Sequence, residues 1–252
     1  MTLSYRGEPF HGWQIQPGDV SVQSVIEDAL GKILSSATPI VGAGRTDAGV
    51  NARMMVAHFD SERDLEGDNV FLRSLNALVG KDIAVSSVTK VHNGAHARFD
   101  ADSRTYRYYV TLRKSPFLYP LSWRASGGLD FDKMNLAAEN LLSTEDFASF
   151  AKLHSDVKTT ICRVVKARWE RWNDEGMYFE ITADRFLRNM VRAVVGTLVD
   201  VGRGKISVES FSEIISSKNR SAAGTSMPPQ ALFLWQVTYP YFDSENSKYL
   251  NI

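Results

Sequence analysis

The chain has 252 residues, 44% of them hydrophobic, with 29 basic and 29 acidic side chains, so it has room for one large domain or two small ones and any nucleic-acid surface must be a local basic patch on a balanced protein. No apolar run is long enough to cross a bilayer, and the stretch from Met1 to Gly7 has no leader-like hydrophobic region, which sets the expectation of a cytoplasmic protein. Cys162 is the single cysteine, which excludes an internal disulfide and a cysteine-based zinc cage.

In chain order, Tyr5 to Gln16 reads as the end of a strand and a turn, with Gly7, Pro9 and Gly12 as breakers among Phe10, Trp13 and Ile15. Ser21 opens a helix whose apolar positions Val22, Val25, Ile26, Ala29, Leu30, Ile33 and Leu34 recur with helical period. Ser24 and Glu27 have the spacing of a capping box, slightly inside that start. Two strand-like runs, Pro39 to Ala43 and Arg53 to Phe59, then bracket Gly44-Arg45-Thr46-Asp47-Ala48-Gly49-Val50. The glycines leave little bulk around an arginine and a carboxylate, so this loop presents Arg45 and Asp47 outward. Taken alone, it reads as a loop salt bridge between the two. A short helix is expected over Val70 to Val79 and a strand over Ile83 to Val91.

The second part begins near Ala95, giving halves 1–95 and 96–252. Arg104 to Leu112 alternates as a strand, with Arg104, Tyr106, Tyr108 and Val110 on one face and Thr105, Arg107, Tyr109 and Thr111 on the other. Pro116 to Gly128 is a loop and Phe131 to Leu142 a helix. Val164 to Trp172 and Met177 to Thr182 suit a hairpin turning near Asn173 to Gly176. The strongest helical pattern runs from Arg185 to Val201, ended by Gly202. Ser207 caps a further helix to Ile215, and Leu232 to Tyr239 closes as a strand. Both halves mix strands and helices in similar order without a close sequence repeat, which predicts an α+β fold of two halves whose sheets join, with a cleft between them.

Several chemistries fail on the residues. His92 and His96 have ligand spacing, but the segment holds Gly94 and lacks the acidic residue of a zinc-protease helix. Gly42-Ala43-Gly44 starts like a dinucleotide fingerprint, but Asp47 stands at its third glycine, and neither a P-loop nor a Gly-x-Ser-x-Gly elbow occurs. What remains is an exposed carboxylate with local arginines. Arg98, Arg104, Arg107, Arg113 and Lys114 lie among Phe99, Tyr106, Tyr108 and Tyr109, and Arg185, Arg188 and Arg192 mark one later helix, with Arg192 one helical turn past Arg188. Arginine interleaved with aromatics suits phosphate contact and base stacking, although a solvated strand face and a helix bordering the core would look the same.

The loop Gly44 to Val50 resembles the catalytic motif of TruA-type tRNA pseudouridine synthases. Gly12-Trp13-Gln14-Ile15-Gln16, His96-Ala97-Arg98, Arg104-Thr105-Tyr106-Arg107-Tyr108, Asp146 to Phe150, Phe186 to Arg192 with Val195-Gly196, and Leu232-Phe233-Leu234 are similar to further blocks of that family, in its order. The resemblance implies isomerisation of uridine to pseudouridine in the anticodon stem-loop of tRNA, without metal or organic cofactor. It implies two α+β halves carrying one continuous, mainly antiparallel sheet flanked by helices, a basic catalytic cleft between them, and a homodimer that holds tRNA. By position, Asp47 corresponds to the nucleophile, attacking either the uracil ring or the ribose anomeric carbon. Tyr106 corresponds to the tyrosine that stacks on the target base and serves in proton removal, and Arg192 to the arginine that pairs with the catalytic aspartate. Arg45 corresponds to the residue linked to nucleotide flipping and Leu232 to an apolar wall of the uracil pocket. Arg104, His96 and Arg98 join these as expected substrate contacts.

The chain departs from the pattern in places. The first strand ahead of Tyr5 is shorter than usual, Arg6 stands where aspartate is customary, Asn51 where histidine is frequent, Ala95 for phenylalanine and Ala231 for glycine. None touches Asp47, Tyr106 or Arg192. Rival readings are an RNA-binding protein without the chemistry and a synthase of the same fold acting on another RNA. A glycosidase would want a second carboxylate beside Asp47.

Overall fold

A computed structural model describes residues 1–152, 158–172, 174 and 176–241. The chain is α+β and divides into two compact units. The first is Met1–Asp102 together with the segment that begins at Phe233, and the second is Ser103–Leu232. The sequence break expected after Ala95 lies seven residues before this division. The return of the last strand to the first unit has a local cause: Phe233 and Leu234 pair in parallel with Asn51 and Ala52.

In the first unit, β1 (Thr2–Tyr5) lies between β4 (Ile83–Ser87) and β3 (Asn51–His58), antiparallel to both. β2 (Val41–Gly42) pairs antiparallel with β3, and β9 (Leu232–Thr238) runs parallel to β3 from Phe233 onward. The strand expected to Val91 stops at Ser87, which pairs with Thr2 at the start of β1. Helix α1 (Val22–Leu34) buries Val22, Ile26, Ala29 and Leu30, the apolar stripe of its sequence. Its capping box closes three residues earlier than Ser24–Glu27: Ser21 Oγ accepts the Ser24 N–H at 3.1 Å, and Ser24 Oγ accepts the Ser21 N–H at 3.1 Å. Glu27 instead accepts the Ile40 N–H at 2.9 Å and ties α1 to the approach to β2. Helix α2 (Asn69–Leu78) is capped by Asp68 and docks on β4 through Asn76, whose amide exchanges two hydrogen bonds with the backbone of Val85.

In the second unit, β8 (Gly176–Ala183) is the middle strand, antiparallel to both β5 (Ser103–Thr111) and β7 (Val164–Trp172). Asn173 and Glu175 of the expected hairpin turn lie outside the described residues. The stretch read as a loop before Gly128 holds a short strand, β6 (Trp123–Arg124), parallel to the end of β5. One sheet face carries Trp169, Phe179 and Ile181, all buried, with α3 (Phe131–Glu139) packed on it through Phe131 and Asn135. The other carries a charged ladder: Arg107 to Glu180, Glu180 to Lys166 and Lys166 to Glu170. The alternation of β5 gives way at its end, where Tyr108, Tyr109, Val110 and Thr111 are all buried.

Helix α4 (Met190–Gly202) starts five residues later than the apolar pattern suggests. Leu187 is in phase with that pattern and buried, but Asn189 takes a left-handed conformation at φ 66°, which a helix interior does not admit. The Arg188 carbonyl serves the Lys152 N–H instead of a helical bond. Gly202 does not end the helix but completes it, its Cα packed against Met134 where a Cβ would stand 2.4 Å from sulfur. The left-handed residue beyond it is Gly204, at φ 70°. Helix α5 (Val208–Ser217) follows, capped by Ser207.

Candidate active site

The Asp47 loop is held by the segment from Tyr5 to Trp13. Gly42 lies flat beneath the Trp13 indole, and a Cβ there would stand 2.5 Å from the ring. The Trp13 N–H donates to the Thr46 carbonyl at 3.2 Å, and the Thr46 and Tyr5 hydroxyls share a buried hydrogen bond of 2.8 Å. Gly12, at φ 89°, lets the two backbones meet, since a Cβ would stand 2.5 Å from the Thr46 carbonyl oxygen. On the far side, the Val50 N–H closes a turn onto the Asp47 carbonyl at 3.1 Å, with Gly49 at φ 77° supplying the left-handed step. Asn51 is 2% exposed and its side-chain oxygen accepts the Gly7 N–H at 2.8 Å. Asp47 therefore sits half-buried on a loop fixed at both ends, next to exposed Arg45.

His96 and Arg98 belong to the same unit but hang from the opposite end of β3. The eight residues of that strand span seven rises, roughly 23 Å. The Ala97 N–H donates to His58 Nδ1 at 3.1 Å, and burial holds the His58 pKa below its usual value, in keeping with a ring nitrogen that accepts. His96 Nδ1 accepts the N–H groups of Arg98 and Phe99 at 3.1 and 3.2 Å, and its ring stacks on Phe99 with centroids 4.2 Å apart. His96 thus braces its own turn, while Arg98 and Phe99 face solvent. A cavity of about 520 Å³ opens beside this turn. Its wall mixes the acids Asp60, Glu62, Asp64 and Glu66 with Arg63 and Lys90.

In the second unit three elements converge. Tyr106, half-buried on β5, meets the edge of Phe186 at a centroid distance of 5.0 Å. Arg104, two residues earlier on the same face, donates from Nη1 to the Asp184 carbonyl at 2.8 Å, so β5 and the β8–α4 connection are tied twice. Arg192, in the first turn of α4, donates from Nε to the Met227 carbonyl at 2.5 Å. The Tyr108 hydroxyl donates to the next carbonyl of that strap, Pro228, at 3.1 Å. Burial pushes the Tyr108 pKa up despite the Arg192 charge, so this neighbour of Tyr106 stays a neutral donor. The strap leads through a short 3-10 turn (Pro229–Ala231) to Leu232, which is 4% exposed. Arg188 precedes α4 rather than lying one turn behind Arg192 on it.

Phe186 and Met227 are the site neighbours that residue-by-residue reading passed over. Phe186 stood in a recognised block without a role, and the Met227 contribution is a backbone carbonyl that no side-chain pattern announces. Among the described residues no cluster of histidine, cysteine and carboxylate suits a metal ion, and no helix is long and apolar enough to cross a membrane.

Residues 137–240 match the tRNA pseudouridine synthase family. The chain is 54% identical over 239 residues to the tRNA pseudouridine synthase A of Parabacteroides distasonis, covering 94% of each protein. It is 53% identical to that of Bacteroides fragilis, again with 94% of each covered. Against the Bacillus subtilis enzyme the identity is 38%, over 94% of this chain and 97% of that protein. By this likeness across nearly its whole length, the chain belongs to the tRNA pseudouridine synthase A family.

Proposed function

We propose that the protein is an isomerase that converts uridine to pseudouridine in the anticodon stem-loop of tRNA, with Asp47 as its nucleophile. The observation that carries this reading is the rigid, glycine-flanked presentation of Asp47, fixed by Trp13, Tyr5 and Asn51, in a chain alike end to end to synthases of this name. A target base inside a stem must first leave the stack, at a cost of a few kcal/mol, and Arg45, exposed beside Asp47, is the residue proposed to hold the vacated position.

The Asp47 carboxylate then adds to the uracil ring or to the anomeric carbon. Either route breaks the bond between N1 and the sugar, turns the base, and joins C5 to the sugar carbon; the bond to Asp47 breaks as C5 displaces it from the sugar, or by elimination from the ring, and the carboxylate is regenerated. N1 gains a proton and C5 loses one, so the product is an isomer and no redox partner or cofactor enters. Tyr106, set at the edge of Phe186, offers a ring face for the base and a hydroxyl for the C5 proton. Arg192 is the cation that serves the attacking carboxylate, and Leu232 supplies apolar wall. Arg104, Arg98 and His96 are proposed as tRNA contacts, and a second copy of the chain as the partner that completes the tRNA-holding surface. The cytoplasm, where tRNA is processed, is the proposed location.

The test is to incubate the protein with unmodified tRNA transcripts and map pseudouridine by carbodiimide adducts and primer extension. New stops confined to the anticodon stem-loop are expected. Stops elsewhere, or in a different RNA only, would favour the same chemistry on another target. Tight tRNA binding with no stops would favour a binder without chemistry.

A further inference from the structure

The strap from Asn219 to Pro228 is clasped onto the N-terminal turns of α4 by Asn189 and Thr197 and braced internally by Arg220, side chains to which the reaction assigns no role. Asn189 Nδ2 donates to Ser226 Oγ at 2.6 Å, and Arg220 Nη2 donates to the same hydroxyl at 2.9 Å. Arg220 Nη1 reaches the Gly224 carbonyl at 3.2 Å. Thr197 Oγ1 accepts the Gly224 N–H at 2.9 Å while donating to the Ala193 carbonyl at 2.8 Å. The strap lies directly on the helix backbone at Gly196, where a Cβ would stand 1.9 Å from the Thr225 carbonyl oxygen. Held this way, it delivers Met227 to Arg192 twice: the Met227 N–H donates to the Arg192 carbonyl at 3.1 Å, and the Met227 carbonyl accepts Arg192 Nε at 2.5 Å.

We propose that Asn189, Arg220 and Ser226 are positioning residues that aim the Arg192 guanidinium through the Met227 carbonyl. The proposal rests on the assignment of Arg192 to the reaction made above. A guanidinium is a planar fork on a flexible stem, and a bond from Nε fixes the roll of that plane and hence the direction of the fork. Asn189, left-handed at the start of the helix, places its amide within hydrogen-bond reach of Ser226. Arg220 is part of the clasp because both its terminal nitrogens are spent on the strap.

The experiment is a set of clasp variants, Asn189→Gly, Ser226→Ala and Arg220→Lys, each made in the native protein and in Arg192→Lys. Asn189→Gly is chosen because glycine keeps the left-handed conformation and removes only the amide. Steady-state kcat and KM for pseudouridine formation in tRNA and thermal melting are measured for each. The clasp variants should lose kcat by roughly ten- to a hundredfold, the range that misplacing a catalytic group produces, with KM for tRNA nearly unchanged. Ser226→Thr, which keeps the hydroxyl, should keep native kcat. In Arg192→Lys the same changes should cost little further, because the group they aim is gone.

Equal losses in both backgrounds would overturn the proposal, as would a loss confined to KM. If Arg192→Lys is impaired and the clasp variants are not, the clasp alone falls. If Arg192→Lys is as active as the native protein, the role given to Arg192 falls and the clasp with it.

Discussion

Asn51 shows how a single side chain can replace another at the edge of a site. It stands where the family often has histidine, and its carboxamide holds the buried Gly7 N–H, a donor that would cost about 1–3 kcal/mol if left bare. Arg6, another departure, pairs with Asp82, donating from Nε at 2.9 Å. Both departures are thus absorbed into the frame behind Asp47. Asp47, Tyr106 and Arg192 were singled out through the resemblance, which assigned their roles; the residues alone offered only a loop carboxylate, a strand tyrosine and one of two arginines. Asn189 and Met227 were not singled out, because a left-handed backbone and a carbonyl acceptor are available to many residues. The same reasoning makes Tyr106→Phe informative. It keeps the ring against Phe186 and removes only the hydroxyl, so turnover should fall by about 10²- to 10⁴-fold, the worth of a general base or acid, while tRNA affinity stays near native. An equal loss of affinity would mean that Tyr106 acts by binding alone.

Among the elements, those with strong periodicity and caps were read closely: α1 behind Ser21, α5 behind Ser207, and the two strands of the β7–β8 hairpin. The start of α4 was misread because Leu187 is buried in phase with the helix although its backbone is not helical. Burial period reports which side faces the core, and only Asn189 decides where the helix begins. The β2–loop–β3 unit was legible as two strands around a turn, but the reason for its first glycine was not. Gly42 has no positive φ; it is glycine because the Trp13 indole covers it. Gly42→Ala should therefore lower stability by about 1–3 kcal/mol, the usual cost of overpacking, and shift the Asp47 loop with it. A melting temperature equal to the native one would show that the indole moves aside freely.

For the whole molecule, the α+β class followed from alternating strand and helix patterns, whereas the unit division did not. The segment from Phe233 is distant in sequence from β3 and carries no label of its parallel pairing to Asn51 and Ala52. A formal charge of zero likewise hides how basic side chains are distributed. If phosphate contact dominates tRNA binding, affinity should fall at least about tenfold between roughly 50 and 200 mM salt, in proportion to the counterions released. A flat response would place recognition in uncharged contacts instead.

The most direct test of the account is tritium release from tRNA carrying 5-tritiated uridine, since joining C5 to the sugar must expel the hydrogen there. The native protein should release label from the anticodon stem-loop uridines, and Asp47→Ala should bind the same tRNA and release none. Release by Asp47→Ala at the native rate would contradict the central role of that carboxylate, and no release by either protein would contradict the isomerase itself.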